Sequence, residues 1–128
     1  NYQPALKNIQ KLIYHKNIYV QGYAVLGCFL LEGFPALIEK KDSKTLFLND
    51  WIQSHILYAI KKNVTPMPEN LAEFLDTQNQ SFVILGIRLV DYYKASQFIP
   101  ILQKKCDETQ NSILKEAYLL TINNLSAY

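Results

Sequence analysis

GFPALIEK, residues 33–40, sets a proline near the front of an apolar run. Inside a helix a proline removes a backbone hydrogen bond and clashes with the preceding turn. In the first turn its missing N–H had no intrahelical partner anyway. Pro35 therefore marks a helix start. The same arrangement recurs at Pro4 in QPALKNIQKL, at Pro68 in MPENLAEFL and at Pro100 in IPILQKKC. Positions 4, 35, 68 and 100 are almost evenly spaced along the chain. A near-constant interval of about 32 residues points to a repeat array.

A second ladder runs in phase with the first. Asn17, Asp50, Ser81 and Ser112 keep nearly the same interval, each followed by a large apolar residue: Ile18, Trp51, Phe82 and Ile113. All four are residue types whose side chains accept from orphan amides in a first helical turn, so they read as N-caps. Five positions beyond them lie Gly22, His55, Gly86 and Ala117. Three of these are small enough to admit a close neighbour, and His55 on the same ladder reads as a helix-contact residue. Each unit thus pairs a longer capped helix with a shorter proline-started one. Helices are predicted over 4–14, 17–31, 34–41, 50–62, 68–76, 81–94, 97–106 and 112–125. The apolar residues at 82, 85, 89 and 93 keep helical spacing. No strictly alternating run is bounded by Asn-Gly or Asp-Gly hairpin turns, so strands are not predicted. The fold class expected is all-α.

The chain has 128 residues, 49% of them hydrophobic, enough for one domain over 1–128 with a real core. It opens on Asn1, without a methionine, and reads as a piece of a longer protein. Thirteen basic residues oppose eleven acidic ones for a net charge of +2, and Arg88 is the only arginine. That is far from the concentrated basic field of a dedicated nucleic-acid binder. Cys28 and Cys106 lie in apolar or amphipathic runs and read as reduced structural thiols. The longest nearly apolar run covers only positions 18–31. It falls short of a bilayer span, which needs about 20 apolar residues. With no secretory signal, the expected location is cytoplasmic.

A two-helix unit of this period, opening its second helix with Pro-Ala-Leu, resembles the HEAT-like repeats, in particular the short bacterial type also seen in phycobilisome lyases. The matching residues are Pro4-Ala5-Leu6, Pro35-Ala36-Leu37 and Pro100-Ile101-Leu102, with the capped helices between them and SILKEAYLLTINNL at 112–125 as a further first helix. The resemblance covers nearly the whole chain. It implies a right-handed α-solenoid of about four helix pairs, armadillo-like in build. Units of that type carry an arginine just after the first large apolar residue of the capped helix. Here those positions are Tyr19, Ile52, Val83 and Leu114, so stacking is expected to rest on apolar contact. At the third proline Asn70 stands where leucine is expected, with Leu71 one position later. Neither the tetratricopeptide pattern nor the ankyrin Thr-Pro-Leu-His motif is present.

Motifs that carry chemistry are absent from the sequence. His15 and His55 are far apart, with no ligand spacing around either, so no metal is expected. Four glycines supply no phosphate-binding loop, and no nucleophile elbow occurs. No cofactor is expected. Glu69 and Glu73, one helical turn apart, read as one solvated helix face. Of Tyr92 and Tyr93, one is expected inward and one partly exposed. Lysines recur on the proline-started helices: Lys7, Lys11, Lys40, Lys41, Lys104 and Lys105. They are the candidate partner-binding residues, forming a discontinuous basic stripe that Glu69 and Glu73 interrupt. The last helix carries Ile113, Leu114, Tyr118, Leu119, Leu120, Ile122 and Leu125, more than one stripe. A contact beyond this chain is expected there, in its simplest form a homodimer through residues 112–128.

The function these readings favour is a non-enzymatic protein-binding scaffold. The alternatives are a nucleic-acid-binding protein of the HEAT-like type, using the lysine stripe, and an accessory of a lyase-type enzyme.

Overall fold

The computed structural model describes residues 3–127. It contains α1 (Gln3–Leu12), α2 (Ile18–Glu32), α3 (Phe34–Lys40), α4 (Asp50–Lys62), α5 (Leu71–Leu75), α6 (Gln80–Tyr92), α7 (Ile99–Glu108) and α8 (Ser112–Ser126), with a 3₁₀ turn at Ser96–Phe98 leading into α7. No strand occurs among the described residues, so the chain is all-α. No helix among them is long and apolar enough to cross a membrane.

Three of the long helices are capped slightly ahead of the expected residues Asp50, Ser81 and Ser112. Asn17 is a cap as expected, its Oδ1 accepting from the Tyr19 and Val20 amides. The other three caps are Asn49, Asn79 and Asn111. All three hold extended backbone, from which the asparagine oxygen reaches the N–H groups two or three positions on. Asp50 and Ser112 instead occupy the first helical position and Ser81 the second. The side chain at position i−2 receives the cap residue's own N–H at three of the four starts: His15 Nδ1 at 3.0 Å, Thr77 Oγ1 at 3.1 Å and Thr109 Oγ1 at 3.1 Å.

The proline signal holds for three starts of four. Pro4, Pro35 and Pro100 sit at the second positions of α1, α3 and α7. Pro68 lies outside α5, which begins only at Leu71 instead of spanning 68–76. Two prolines, Pro66 and Pro68, push the residues before them out of the helical region. A turn closed by the Leu71 amide on the Pro68 carbonyl (3.3 Å) then places Leu71 fully inside. Glu69 is therefore in the turn and Glu73 in the helix, both exposed, and they do not share one helix face. Between α2 and α3 the chain reverses on Gly33, whose φ of +79° a side chain would strain.

The capped helices contact one another in chain order, α2 on α4, α4 more lightly on α6, and α6 on α8. The proline-started helices pack on three of them: α1 and α3 on α2, and α5 and α7 on α6 and α8, the capped helices that follow them rather than those that precede them. The main core runs from α2 to α8. Ile52, Ile56 and Ile60, one turn apart on α4, are fully buried with Leu37, Leu48, Phe74, Phe82, Leu89 and Leu102. Phe74 and Phe82 stack with ring centroids 6.4 Å apart, tying α5 to α6. A separate small cluster of Leu6, Cys28 and Ala36 fastens α1. Both cysteines are free and buried.

The small-residue ladder works at its glycines. A Cβ on Gly86 would lie 2.8 Å from Phe74 Cβ, and one on Gly22 would lie 2.6 Å from Ile52 Cδ1. The partners differ in kind, since Gly22 admits α4 ahead of it in the chain and Gly86 admits α5 behind it. His55 departs from the ladder, being exposed and packed on its own helix rather than on another. Tyr93 points inward and donates to the Thr65 carbonyl at 2.9 Å, while Tyr92 is exposed. Burial pushes the Tyr93 phenol up to about 12.

The four asparagine caps are not energetically equal. Asn17 is exposed and caps only its own helix. Asn79 is buried; its Oδ1 accepts from the Ser81 and Phe82 amides, and its Nδ2 donates to the carbonyls of Ser43 (2.6 Å) and Leu46 (2.7 Å). Asn17→Ala is expected to cost about 1 kcal/mol, the usual loss of a cap. Asn79→Ala also strands two carbonyls, raising the expected cost to about 2–4 kcal/mol. Urea midpoints of the two variants check this, and equal losses would show that the Asn79 amide group contributes nothing beyond the cap.

Candidate functional site: a groove at the helix starts

Between α3 and α4 the chain runs without regular structure through residues 46–49. Its side chains alternate as a strand's do: Leu46 and Leu48 are buried, while Phe47 is 47% exposed. The starts of α4 and α6 flank this segment, and with the first turn of α8 they enclose an open groove of about 790 Å³. Its wall includes Lys44, Phe47, Trp51, Gln53, Ile84 and Ile113.

The segment is held from below by α6. The Leu48 amide donates to Ser81 Oγ at 3.1 Å, and Ser81 Oγ donates on to Asn79 Oδ1 at 2.7 Å. Ser81 is thus a buried bridge between two elements. Gln53, only 2% exposed, donates from Nε2 to the Leu48 carbonyl at 2.7 Å and to the Ser81 carbonyl at 3.3 Å. Its Oε1 has no hydrogen-bond partner among the described residues. Buried acceptors are rarely left so, because desolvation without a donor costs free energy.

The rim is aromatic. Trp51 is half exposed, with Tyr23 edge-on at 5.3 Å and the His55 ring lying over it at 3.6 Å. His55 is fixed there by Nδ1 donating to the Trp51 carbonyl at 2.8 Å. Ile113, 59% exposed, stands on the α8 side. Large apolar side chains exposed together beside a concave surface are typical of contact sites.

The charged side chains of the wall are Lys44 and Asp50, one of each sign. Lys44 is exposed and forms no ion pair with any described residue. Asp50, the acid at the α4 start, is engaged by Arg88 at 3.2 Å. The Asn49 side chain caps only the Ile52 amide, whereas each of the other three asparagines caps two. The amides of Asp50 and Trp51 therefore lack an acceptor among the described residues. Such amides form the positive end of the helix dipole.

The six candidate lysines fall into two groups. Lys7, Lys11 and Lys104 are exposed. The other three are half-buried and engaged: Lys40 with Glu39 and over the Tyr14 ring, Lys41 with Asp42 at 2.9 Å, and Lys105 with Asp76 at 2.6 Å. The hydrogen bond to Asp42 holds the Lys41 ammonium above its ordinary value, and the same bond draws Asp42 down. None of the six lines the groove. Among the described residues no group of three His, Cys, Asp or Glu is placed to hold a metal ion. Burial pushes the Cys28 thiol up, with Glu32 adding to the shift, which disfavours the nucleophilic thiolate.

Sequence reasoning did not assemble this groove. The signals were present in the asparagines at 17, 49, 79 and 111, which recur at almost the interval of the prolines, and in Thr-Gln-Asn, which occurs at both 77–79 and 109–111. Trp51 is exposed because Ile52, Ile56 and Ile60 form the buried stripe of α4, and the adjacent position lies about 100° round the helix from Ile52. No protein-family model, no curated protein and no solved structure matches the chain.

Proposed function

We propose that this chain is a non-enzymatic interaction module whose groove, between the starts of α4, α6 and α8, receives a segment of another protein. The observation that carries this reading is Trp51, half exposed between Tyr23 and His55 on the rim of a concave wall that also offers Phe47 and Ile113. Tryptophan is enriched among the residues that dominate binding energy at interfaces. The contacts of each capped helix with the next support an α-solenoid as the scaffold, and the resemblance to HEAT-like pairs implies that it is right-handed. Half of the lysine stripe is engaged within the chain, which favours a protein partner over nucleic acid.

Selection from a random dodecapeptide display library tests the reading, with the wild-type chain as bait and Trp51→Ala as counter-bait. Trp51 is half exposed, so the substitution leaves the core intact. Clones that bind the wild type and fail on the variant are expected. Equal recovery on both baits, or none, would contradict the proposal.

A second contact is favoured by α8. Tyr118 and Leu125 are buried and Leu114 and Ile122 half-buried, but Leu119 is 45% and Leu120 61% exposed. Two copies of this face can meet about a twofold axis. Light scattering over a concentration series is expected to show a dimer that Leu120→Lys returns to monomer. A strict monomer at high concentration would show that this face needs no cover.

A further inference from the structure

We infer that α1 is an exchangeable arm, and that the seat it fills on α2 and α3 takes the α1 of a second copy of this chain. The seat has a visible occupant. Leu6, Ile9 and Ile13 form one cluster with Cys28, Leu31 and Ala36 of α2 and α3. Ile9 also lies over bare backbone, its Cγ2 3.2 Å from where a Cβ on Gly27 would stand. Anchors spaced i, i+3 and i+7 on an amphipathic helix are a common way for a helix to enter an apolar groove. None of these residues lines the groove beside Trp51, so that surface is untouched.

The arm is lightly held. Its buried cluster is separate from the main core, with Ile13 touching both, and of the described side chains in α1 only Leu6 is buried. Segments with few buried apolar contacts open before the rest of a fold. A cavity of about 250 Å³ lies where Gln10, Ile13 and Tyr14 meet α3.

The hinge has two states open to it. Residues 13–17 join α1 to α2. The amides of Ile13, Tyr14 and His15 donate to the carbonyls of Gln10, Lys11 and Leu12, so the chain keeps winding past the end of α1. Positions 5–21 contain neither proline nor glycine. The bend is set at Asn17, whose Oδ1 accepts from the Tyr19 and Val20 amides and whose own amide donates to His15 Nδ1. Release of that cap favours one continuous helix through α1 and α2. Two such helices side by side seat each α1 on the other copy's α2, the exchange of an identical element that makes dimers at low cost.

The same bookkeeping names the occupant. A foreign helix would have to displace a tethered α1, present at an effective concentration on the order of millimolar. It would also leave the apolar stripe of α1 bare. Exchange between two copies fills both seats and leaves no stripe uncovered.

The test is made in chains carrying Leu120→Lys, so that the α8 face does not contribute. Light scattering over a concentration series is expected to show Asn17→Ala dimerising with a dissociation constant about tenfold below its parent's, since each monomer loses a cap. Lys16→Pro, which interrupts winding through the hinge, is expected to stay monomeric at the same concentrations. Adding Ile9→Asp to Asn17→Ala should abolish the dimer, because α1 then has no seat in either copy. Ile9 is half-buried and outside the main core, so the rest of the fold does not depend on it. A dimer that survives Ile9→Asp or forms equally in Lys16→Pro would overturn the inference, as would an Asn17→Ala chain no more dimeric than its parent. Hydrogen exchange of the chain without substitutions at the hinge gives an independent check. The α1 amides are expected to exchange together and faster than those of α2 and α6. Protection of α1 equal to that of α6 in the dilute monomer would overturn the arm.

Discussion

The Asn79 side chain joins two parts of the chain that no helix connects. Its oxygen starts α6 and its nitrogen holds the carbonyls of Ser43 and Leu46, a full repeat interval earlier. Ser81 and Gln53 complete the junction by taking the Leu48 amide and carbonyl. A segment without regular structure has backbone groups that must be paired once buried. Here one cap and its neighbours satisfy them, and Leu46 and Leu48 can enter the core behind α4. The backbones of α4 and α6 approach closely at few positions, and the junction adds a direct polar tie from the α4 start to α6 through Gln53 and the Ser81 carbonyl.

The groove is a consequence of the same junction. Holding residues 46–48 against α6 keeps Phe47 outside, brings Trp51 to the rim and leaves the α4 start incompletely capped. Asn111 repeats half of the device, capping α8 while its Nδ2 donates to Gln80 Oε1 at 2.8 Å. Among the described residues it makes no contact like those of Asn79 with the Ser43 and Leu46 carbonyls. Under the interaction-module reading, the binding surface is thus set by which cap also has a loop to hold.

The helices were largely legible because their signals are local. A proline in a first turn, an apolar stripe and a cap-type residue each act within a few positions. Seven of the eight helices begin within two positions of their predicted starts, and α5 is late because Pro66 and Pro68 together delay it. Three caps were not legible because Asp50, Ser81 and Ser112 are themselves good caps. Deciding between each and the asparagine ahead of it depends on backbone angles that composition does not carry. His55 lies at the surface because it adjoins Ile56 on α4, whose buried stripe is Ile52, Ile56 and Ile60. The groove was not legible at all. It depends on contacts such as Leu48 to Ser81, between side chains and backbone that are distant in sequence and have no periodic pattern.

Hydrogen exchange at adjacent amides tests the junction most directly. The Leu48 N–H is bonded to Ser81 Oγ, whereas the Phe47 N–H has no partner among the described residues. Both belong to the same irregular segment, so simple loop exposure would let them exchange alike. The junction predicts that Leu48 is protected nearly as well as the core amides of α6, that Phe47 exchanges freely, and that Ser81→Ala removes the difference. Equal, fast exchange of the two amides in the wild-type chain would contradict the account.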